Sequence, residues 1–252
     1  MSNKVIWITG GSSGIGKALA YKFANEGWQV ALSARREELL NEISKSNNNI
    51  HPFPLDVLDS EKCKEVFKKI LSKFENIDIA FFSTGIHHPK SEKKLNLENI
   101  KKIMETNFFG TINSINSVYN YFKEKKSGHV SIVSSVAGYR GLPTGGAYCA
   151  SKGALINYAE SLYFDLKRFN VRVSIVNPGF IKTPMTDQNN FPMPMIATAE
   201  FAAEEIFKGL TKSNSFEIHF PKKFTFIMKL LRIMPNWLYL KLLKKGMSLI
   251  GR

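Results

Sequence analysis

Three observations predict an α/β fold built on a doubly wound parallel sheet. Short apolar runs alternate with helical patterns along most of the chain. The first run leads directly into a glycine-rich turn and a helix. No internal repeat, low-complexity tract or interdomain linker interrupts the alternation.

The elements follow in order. Lys4-Val-Ile-Trp-Ile-Thr9 reads as a buried strand, Gly10-Gly-Ser12-Ser13-Gly14-Ile15-Gly16 as a turn, and the following ten residues as a helix. Further strands are expected near 28–33, 50–54, 78–83, 128–134, 171–177 and 216–220. Helices lie between them, with long ones near 98–126 and 148–169. A chain of 252 residues with 44% apolar content can bury one good core. One domain is expected over 1–221, with a substrate lid about 184–212 and a basic amphipathic extension over 222–252.

The glycine turn suits a phosphate. Glycines allow close backbone approach, and the helix that follows presents free N–H groups and a positive dipole end. By itself such a string is an ordinary strand-to-helix turn. Its place between two strands makes it a dinucleotide-site signal. The second strand ends in Ala34-Arg35-Arg36, with no acid to hold a ribose 2′-hydroxyl. Guanidiniums grip a 2′-phosphate bidentately, so NADP(H) is expected over NAD(H). Arg36 is also read as the start of a solvated helix with Glu37 and Glu38, leaving more of the recognition to Arg35.

Tyr148 and Lys152 stand four residues apart, with Ser135 upstream in Val-Ser-Ser135-Val-Ala-Gly. Residues at i and i+4 share a helix face. A nearby ammonium favours the phenolate, and lowering the tyrosine pKa by roughly 3 units takes about 4 kcal/mol. Tyr148 would then work as an acid/base near neutral pH.

Together these pieces resemble the short-chain dehydrogenase/reductase family, over about residues 4–221 and in the family's motif order. The resemblance implies a Rossmann-type sheet and hydride transfer between a nicotinamide and a carbonyl/alcohol pair. It assigns Gly10, Ser12, Ser13, Gly14, Ile15 and Gly16 to the cofactor phosphates, and Asp56 and Val57 to the adenine. Gly85, Pro178, Gly179, Ile181 and Thr183 fall to the rest of the cofactor. Asn107, Ser135, Tyr148 and Lys152 match the catalytic tetrad. Tyr148 is then the general acid, and Lys152 lowers its pKa and holds the nicotinamide ribose. Ser135 stabilises the oxyanion, and Asn107 anchors a proton-relaying water. One departure is Phe82-Ser83-Thr84-Gly85 where the family usually has Asn-Asn-Ala-Gly: a ring and a hydroxyl replace the amides that brace the sheet.

Two cysteines give no disulfide framework, and Cys149 is assigned to packing. The five histidines show no ligand spacing, so no metal is expected. His87-His88 is read as a loop pair with no special duty, the alternative being the rim of the site. The first strand begins almost at Met1, so no signal peptide is expected, and no run is long enough to span a membrane. A cytoplasmic location is expected, with peripheral membrane association as the alternative.

The net charge of +14 is uneven: from 222 onward there are eight basic residues and no acid. Phe224, Ile227, Leu230, Leu231 and Met234 recur at helical spacing, Pro235 starts a second segment, and Trp237 and Tyr239 suit a headgroup boundary. One reading is a pair of interfacial helices on an anionic membrane surface; the other is a helical pair packed on the protein's own core or a second subunit. Nucleic-acid binding is not expected, for want of a motif.

The Met-, Phe- and Pro-rich segments around 180–185 and 190–196 point to an apolar carbonyl or alcohol substrate, such as a lipid or steroid-like ketone or a 3-oxo compound. Alternatives are oxidation of a secondary alcohol by the same site, a non-catalytic NADP(H)-binding regulator, or a membrane adaptor. The resemblance also implies a homodimer or homotetramer through the two long helices.

Overall fold

A computed structural model describes residues 4–87, 95–189 and 192–249. The expectations for His88, Asn190, Phe191 and the last three residues of the extension lie outside the described residues.

Seven parallel strands form one sheet among the described residues. They are β1 (Val5–Thr9), β2 (Gln29–Ser33), β3 (Ile50–Pro52), β4 (Ile79–Phe82), β5 (His129–Val133), β6 (Arg172–Pro178) and β7 (Glu217–Phe220), in the order β3-β2-β1-β4-β5-β6-β7. All residues of β1 and β4 are buried, as expected of strands covered on both faces. The expected strand at 50–54 stops at Pro52, since Pro52 and Pro54 have no N–H for the ladder.

Helices cover both faces. α1 (Gly14–Asn25), α2 (Glu37–Lys45) and α7 (Ala199–Thr211) share an apolar layer around Leu19, Phe23, Leu40, Ile206 and Phe207. On the other face α3 (Ser60–Phe74), α5 (Gly110–Lys125) and α6 (Gly146–Lys167) pack around Trp7, Phe67, Phe82, Phe122 and Leu155. The chain order reverses between β1 and β4, so the loops leaving these two strands diverge and open a crevice at their carboxyl ends.

Three expectations change. The long helix predicted at 98–126 is α4 (Leu97–Met104) and α5, joined by a π-helical turn at Glu105–Phe109. That turn is where an extra residue per turn aims the buried Asn107 side chain inward. The C-terminal part of the predicted lid over 184–212 is the helix α7. Ala202, Ala203, Ile206, Phe207 and Leu210 of α7 are buried core, fixing that helix to the scaffold.

The third change concerns the tail, which folds into α8 (Lys222–Ile233) and α9 (Asn236–Leu249), broken around Pro235 as expected. The predicted stripe is split: Phe224 is buried, whereas Ile227 and Leu230 are exposed, and Met228, outside the stripe, is buried beside Phe224. Tyr239, read as a boundary ring, is buried instead. Its hydroxyl donates to the Gly141 carbonyl at 2.6 Å and its ring lies 4.1 Å from the Arg140 guanidinium. Arg140 also donates to the Leu231 and Met234 carbonyls, capping the end of α8. Lys229 pairs with Glu217 at 2.6 Å and Arg232 with Glu160 at 3.6 Å. One face of the extension is thus packed on the protein. No helix among the described residues is long and apolar enough to cross a membrane.

Candidate active site

The β1–α1 turn forms the floor of the crevice. Gly10 has φ +70°, and a Cβ there would come within 2.8 Å of the Ser83 and Thr84 backbone, so only glycine brings these two loops together. Ser13 caps α1 without a side-chain bond, and the first turn of α1 holds no acid. Its N–H groups are suited to an anion. Ser83 donates to the Thr9 carbonyl at 2.6 Å, and the Phe82 ring meets Trp7 edge-on at 5.7 Å. Hydroxyl and ring therefore brace β1 against β4 in place of the missing amides.

A cavity of about 330 Å³ opens over this floor. Every residue expected to touch the cofactor lines it: Gly10, Ser12 to Gly16, Arg35, Arg36, Asp56, Val57, Gly85, Tyr148, Lys152, Pro178, Gly179, Ile181 and Thr183. Arg36 combines the two places read for it in the sequence. It caps α2 but turns back over the glycine loop, and its Nη2 donates to Ser12 Oγ at 2.8 Å and reaches Ser13 Oγ at 3.5 Å. Both arginines thus edge the cavity where a 2′-phosphate would sit beyond β2, and the residues present fit NADP(H).

The tetrad candidates converge from three segments: the π-helical turn with Asn107, the end of β5 and the start of α6. Tyr148 and Lys152 lie on the first turns of α6, and Ser135 follows β5. Lys152 is only 4% exposed, and burial lowers its ammonium to about 8. Its Nζ donates to the Val133 carbonyl at 3.0 Å and lies 5.8 Å from the Tyr148 ring centre. Ser135 Oγ accepts from the Ala137 N–H at 3.1 Å and stands 3.5 Å from the Pro178 carbonyl.

Asn107 does not line the cavity. Its Oδ1 accepts from the Ile86 N–H at 2.7 Å, and its Nδ2 donates to the Ile86 carbonyl and to Ser151 Oγ, both at 3.0 Å. It holds the Gly85-Ile86 loop from behind.

A second cavity, about 520 Å³ and mostly apolar, adjoins the first through Ser135, Tyr148, Gly179, Met185 and Thr186. Its walls include Leu142, Cys149, Phe180, Pro192 and Pro194. Sequence reasoning missed several of its residues. His87, read as idle, lines it, with its ring centre 4.4 Å from that of Tyr148. Phe224, Met228 and Leu243 from the extension close the far side. A Cβ at Gly179 would lie 2.7 Å from the Phe224 ring, so this glycine also admits the extension. Nothing local in the sequence signals the contacts of Gly179 with Phe224 and of His87 with Tyr148, residues far apart in the chain. Ser134, whose Oγ donates to the Lys152 carbonyl at 2.7 Å, was also missed, although it sits next to Ser135.

A crevice at the switch point of a doubly wound sheet, with a Ser–Tyr–Lys cluster at its inner end, defines a dinucleotide-dependent oxidoreductase. The chain matches the model of the short chain dehydrogenase family over residues 4–193. It belongs to that family, whose members act on an alcohol/carbonyl pair. It is 32% identical over 243 residues to an uncharacterized oxidoreductase of Myxococcus xanthus, covering 95% of this chain and 96% of that protein. It is 33% identical over 192 residues to the 3-oxoacyl-acyl-carrier-protein reductase FabG of Thermotoga maritima, covering 75% and 78%. Among solved structures it resembles ElxO with NADP bound, at TM-score 0.76 and 25% identity, covering 86% of this chain and 97% of that one.

Proposed function

We propose that the protein is an NADPH-dependent reductase of an apolar carbonyl compound, such as a lipid or steroid-like ketone or a 3-oxoacyl-like substrate. The observation that carries this reading is the junction of the two cavities. A polar crevice edged by two arginines meets an apolar chamber at Ser135 and Tyr148. The NADP-bound and 3-oxoacyl-reducing relatives support the same cofactor and substrate class.

The cofactor would supply the hydride. Arg35, Arg36 and the Ser12-to-Gly16 loop would hold its phosphates, and Asp56 and Val57 its adenine. Ser135 donates a hydrogen bond to the substrate oxygen as negative charge grows there, and Tyr148 delivers the proton. The Lys152 ammonium favours the tyrosinate left behind. Asn107 keeps the Gly85-Ile86 loop in register with Lys152. Tyr148→Phe should abolish NADPH oxidation with ketones while NADPH still binds, as read by fluorescence titration. Turnover within tenfold of wild type would overturn the assignment.

We also propose a homodimer or homotetramer through α4–α5 and α6, where Phe109 of the π-helical turn and Phe164 of α6 are exposed. Phe164→Glu should lower the sedimentation mass. We place the enzyme at an anionic membrane surface, on the ground that α8 and α9 expose apolar and basic side chains and no acid.

A further inference from the structure

The extension has two apolar faces where packing alone needs one. On α8, Phe224, Thr225 and Met228 face inward and are buried. Phe226, Leu230 and Ile233, at i, i+4 and i+7, lie on the opposite face and are 61%, 47% and 79% exposed. On α9, Tyr239 is buried and Leu243 reaches the cavity, while Trp237 and Leu240 are 69% and 63% exposed. Lys241 and Lys244 share the outward stripe of Trp237 and Leu240 at helical spacing. Lys222, Lys223 and Lys245 are exposed too. Exposed large apolar residues in this concentration mark a surface that something covers.

Charge selects the occupant. From 222 to the C-terminus there is no acidic residue. A second copy placed face to face would set lysine against lysine, which disfavours self-pairing. An anionic lipid surface satisfies both features, with rings and aliphatic side chains in the acyl boundary and lysines among the headgroups.

Resting on the proposed reductase reading, we infer that α8 and α9 form a docking gate. Their outer face lies on an anionic leaflet, and their inner face is the wall of the substrate chamber. Phe224 and Met228 stand two residues, about half a turn of helix, from the outward residues Phe226 and Leu230. A long-chain ketone in the leaflet then has a short apolar path past the extension into the chamber, without crossing water. The structure thereby specifies a substrate class: carbonyl lipids resident in a membrane.

The test uses the full chain and the double variant Phe226→Glu/Trp237→Glu, whose altered side chains are outward and line neither cavity. Co-sedimentation is measured with phosphatidylcholine vesicles and with vesicles holding 30 mol% phosphatidylglycerol, at about 0.1 M and 0.5 M salt. NADPH oxidation is measured with methyl 3-oxohexadecanoate carried in the vesicles and with water-soluble ethyl 3-oxobutanoate. The wild type should pellet with the anionic vesicles and be released by salt. The variant should lose at least tenfold in both pelleting and turnover of the long-chain ester, and keep its rate on the short one. A wild type that stays in the supernatant overturns the docking surface. So does loss of self-association in the variant without any vesicle binding, which assigns the face to a second copy. A variant that no longer pellets but reduces the vesicle-held ester at the wild-type rate overturns the gate. If the wild type pellets but oxidises NADPH with neither ester, the docking surface stands and the reductase reading fails.

Discussion

Burial brings the Lys152 ammonium down to about 8, within the range in which enzymes work. Below that pH the side chain is charged and, on the proposed mechanism, would support both the Tyr148 phenolate and cofactor binding; above it the charge is lost. The kcat/KM for NADPH, which reports groups of the free enzyme, should therefore fall along a limb centred near pH 8. Lys152→Arg should move that limb out of range, because a guanidinium stays charged. A flat profile from pH 6 to 10 would contradict the assignment. Arg36 is the second residue whose role is open to measurement. Its guanidinium already bonds Ser12 and Ser13 beside the cavity. A charge-assisted hydrogen bond is worth about 1.5–3 kcal/mol. Arg36→Ala should thus raise the KM for NADPH roughly 10- to 100-fold. The kcat/KM for NADH should change little, since only NADPH carries the 2′-phosphate. An equal loss with both cofactors would place Arg36 in the loop's architecture instead.

At the scale of elements, Glu217 on β7 joins four parts of the fold. Its carboxylate accepts from the Tyr139 hydroxyl, from Asn177 Nδ2 at 2.6 Å and from Lys229 of α8 at 2.6 Å. Burial alone would raise its pKa, but the bonds from Lys229, Tyr139 and Asn177 outweigh it and hold the carboxyl below its usual range. A depressed native pKa means stability that is present at neutral pH and lost as pH falls through the native value. Glu217→Ala leaves three donors without their acceptor and should cost about 3 kcal/mol at pH 7. Urea unfolding should show the gap from wild type narrowing at acid pH as the wild-type carboxyl is protonated; a gap independent of pH would argue against the ionic account. None of this network was legible in the sequence, because its members gain meaning only when β6, β7 and α8 are assembled. The glycine loop, Ala34-Arg35-Arg36, Ser135 and the Tyr148–Lys152 pair were legible because each encodes its chemistry within a few residues. The π-helical turn at Asn107 was not, since the helical pattern runs through it unbroken and only the bond to Ile86 demands the extra residue.

On the scale of the whole molecule, composition suggested a boundary at 221, where acids cease and lysines cluster. In the structure the residues beyond it pack on the rest of the chain. Phe224, Thr225, Met228 and Tyr239 are buried, Arg140 holds the end of α8, and Phe224 packs on Gly179 and on the Phe180 ring at 5.3 Å. Burying a large apolar side chain contributes about 1.5–3 kcal/mol. Phe224, Met228 and Tyr239 together then contribute roughly 5 kcal/mol or more. A domain has only about 5–15 kcal/mol in total. A chain ending at Pro221 should therefore unfold far below the wild-type temperature, or fail to fold. It would also lose one wall of the apolar chamber, although the glycine loop and both arginines remain. If that truncated chain folds, it should bind NADPH yet reduce long-chain ketones at least tenfold less well. Circular dichroism melts and NADPH titration of the two chains decide the matter. Equal melting temperatures would show that the extension is an appendage. A large drop in melting temperature with cofactor binding retained would show that it is structurally part of the substrate half.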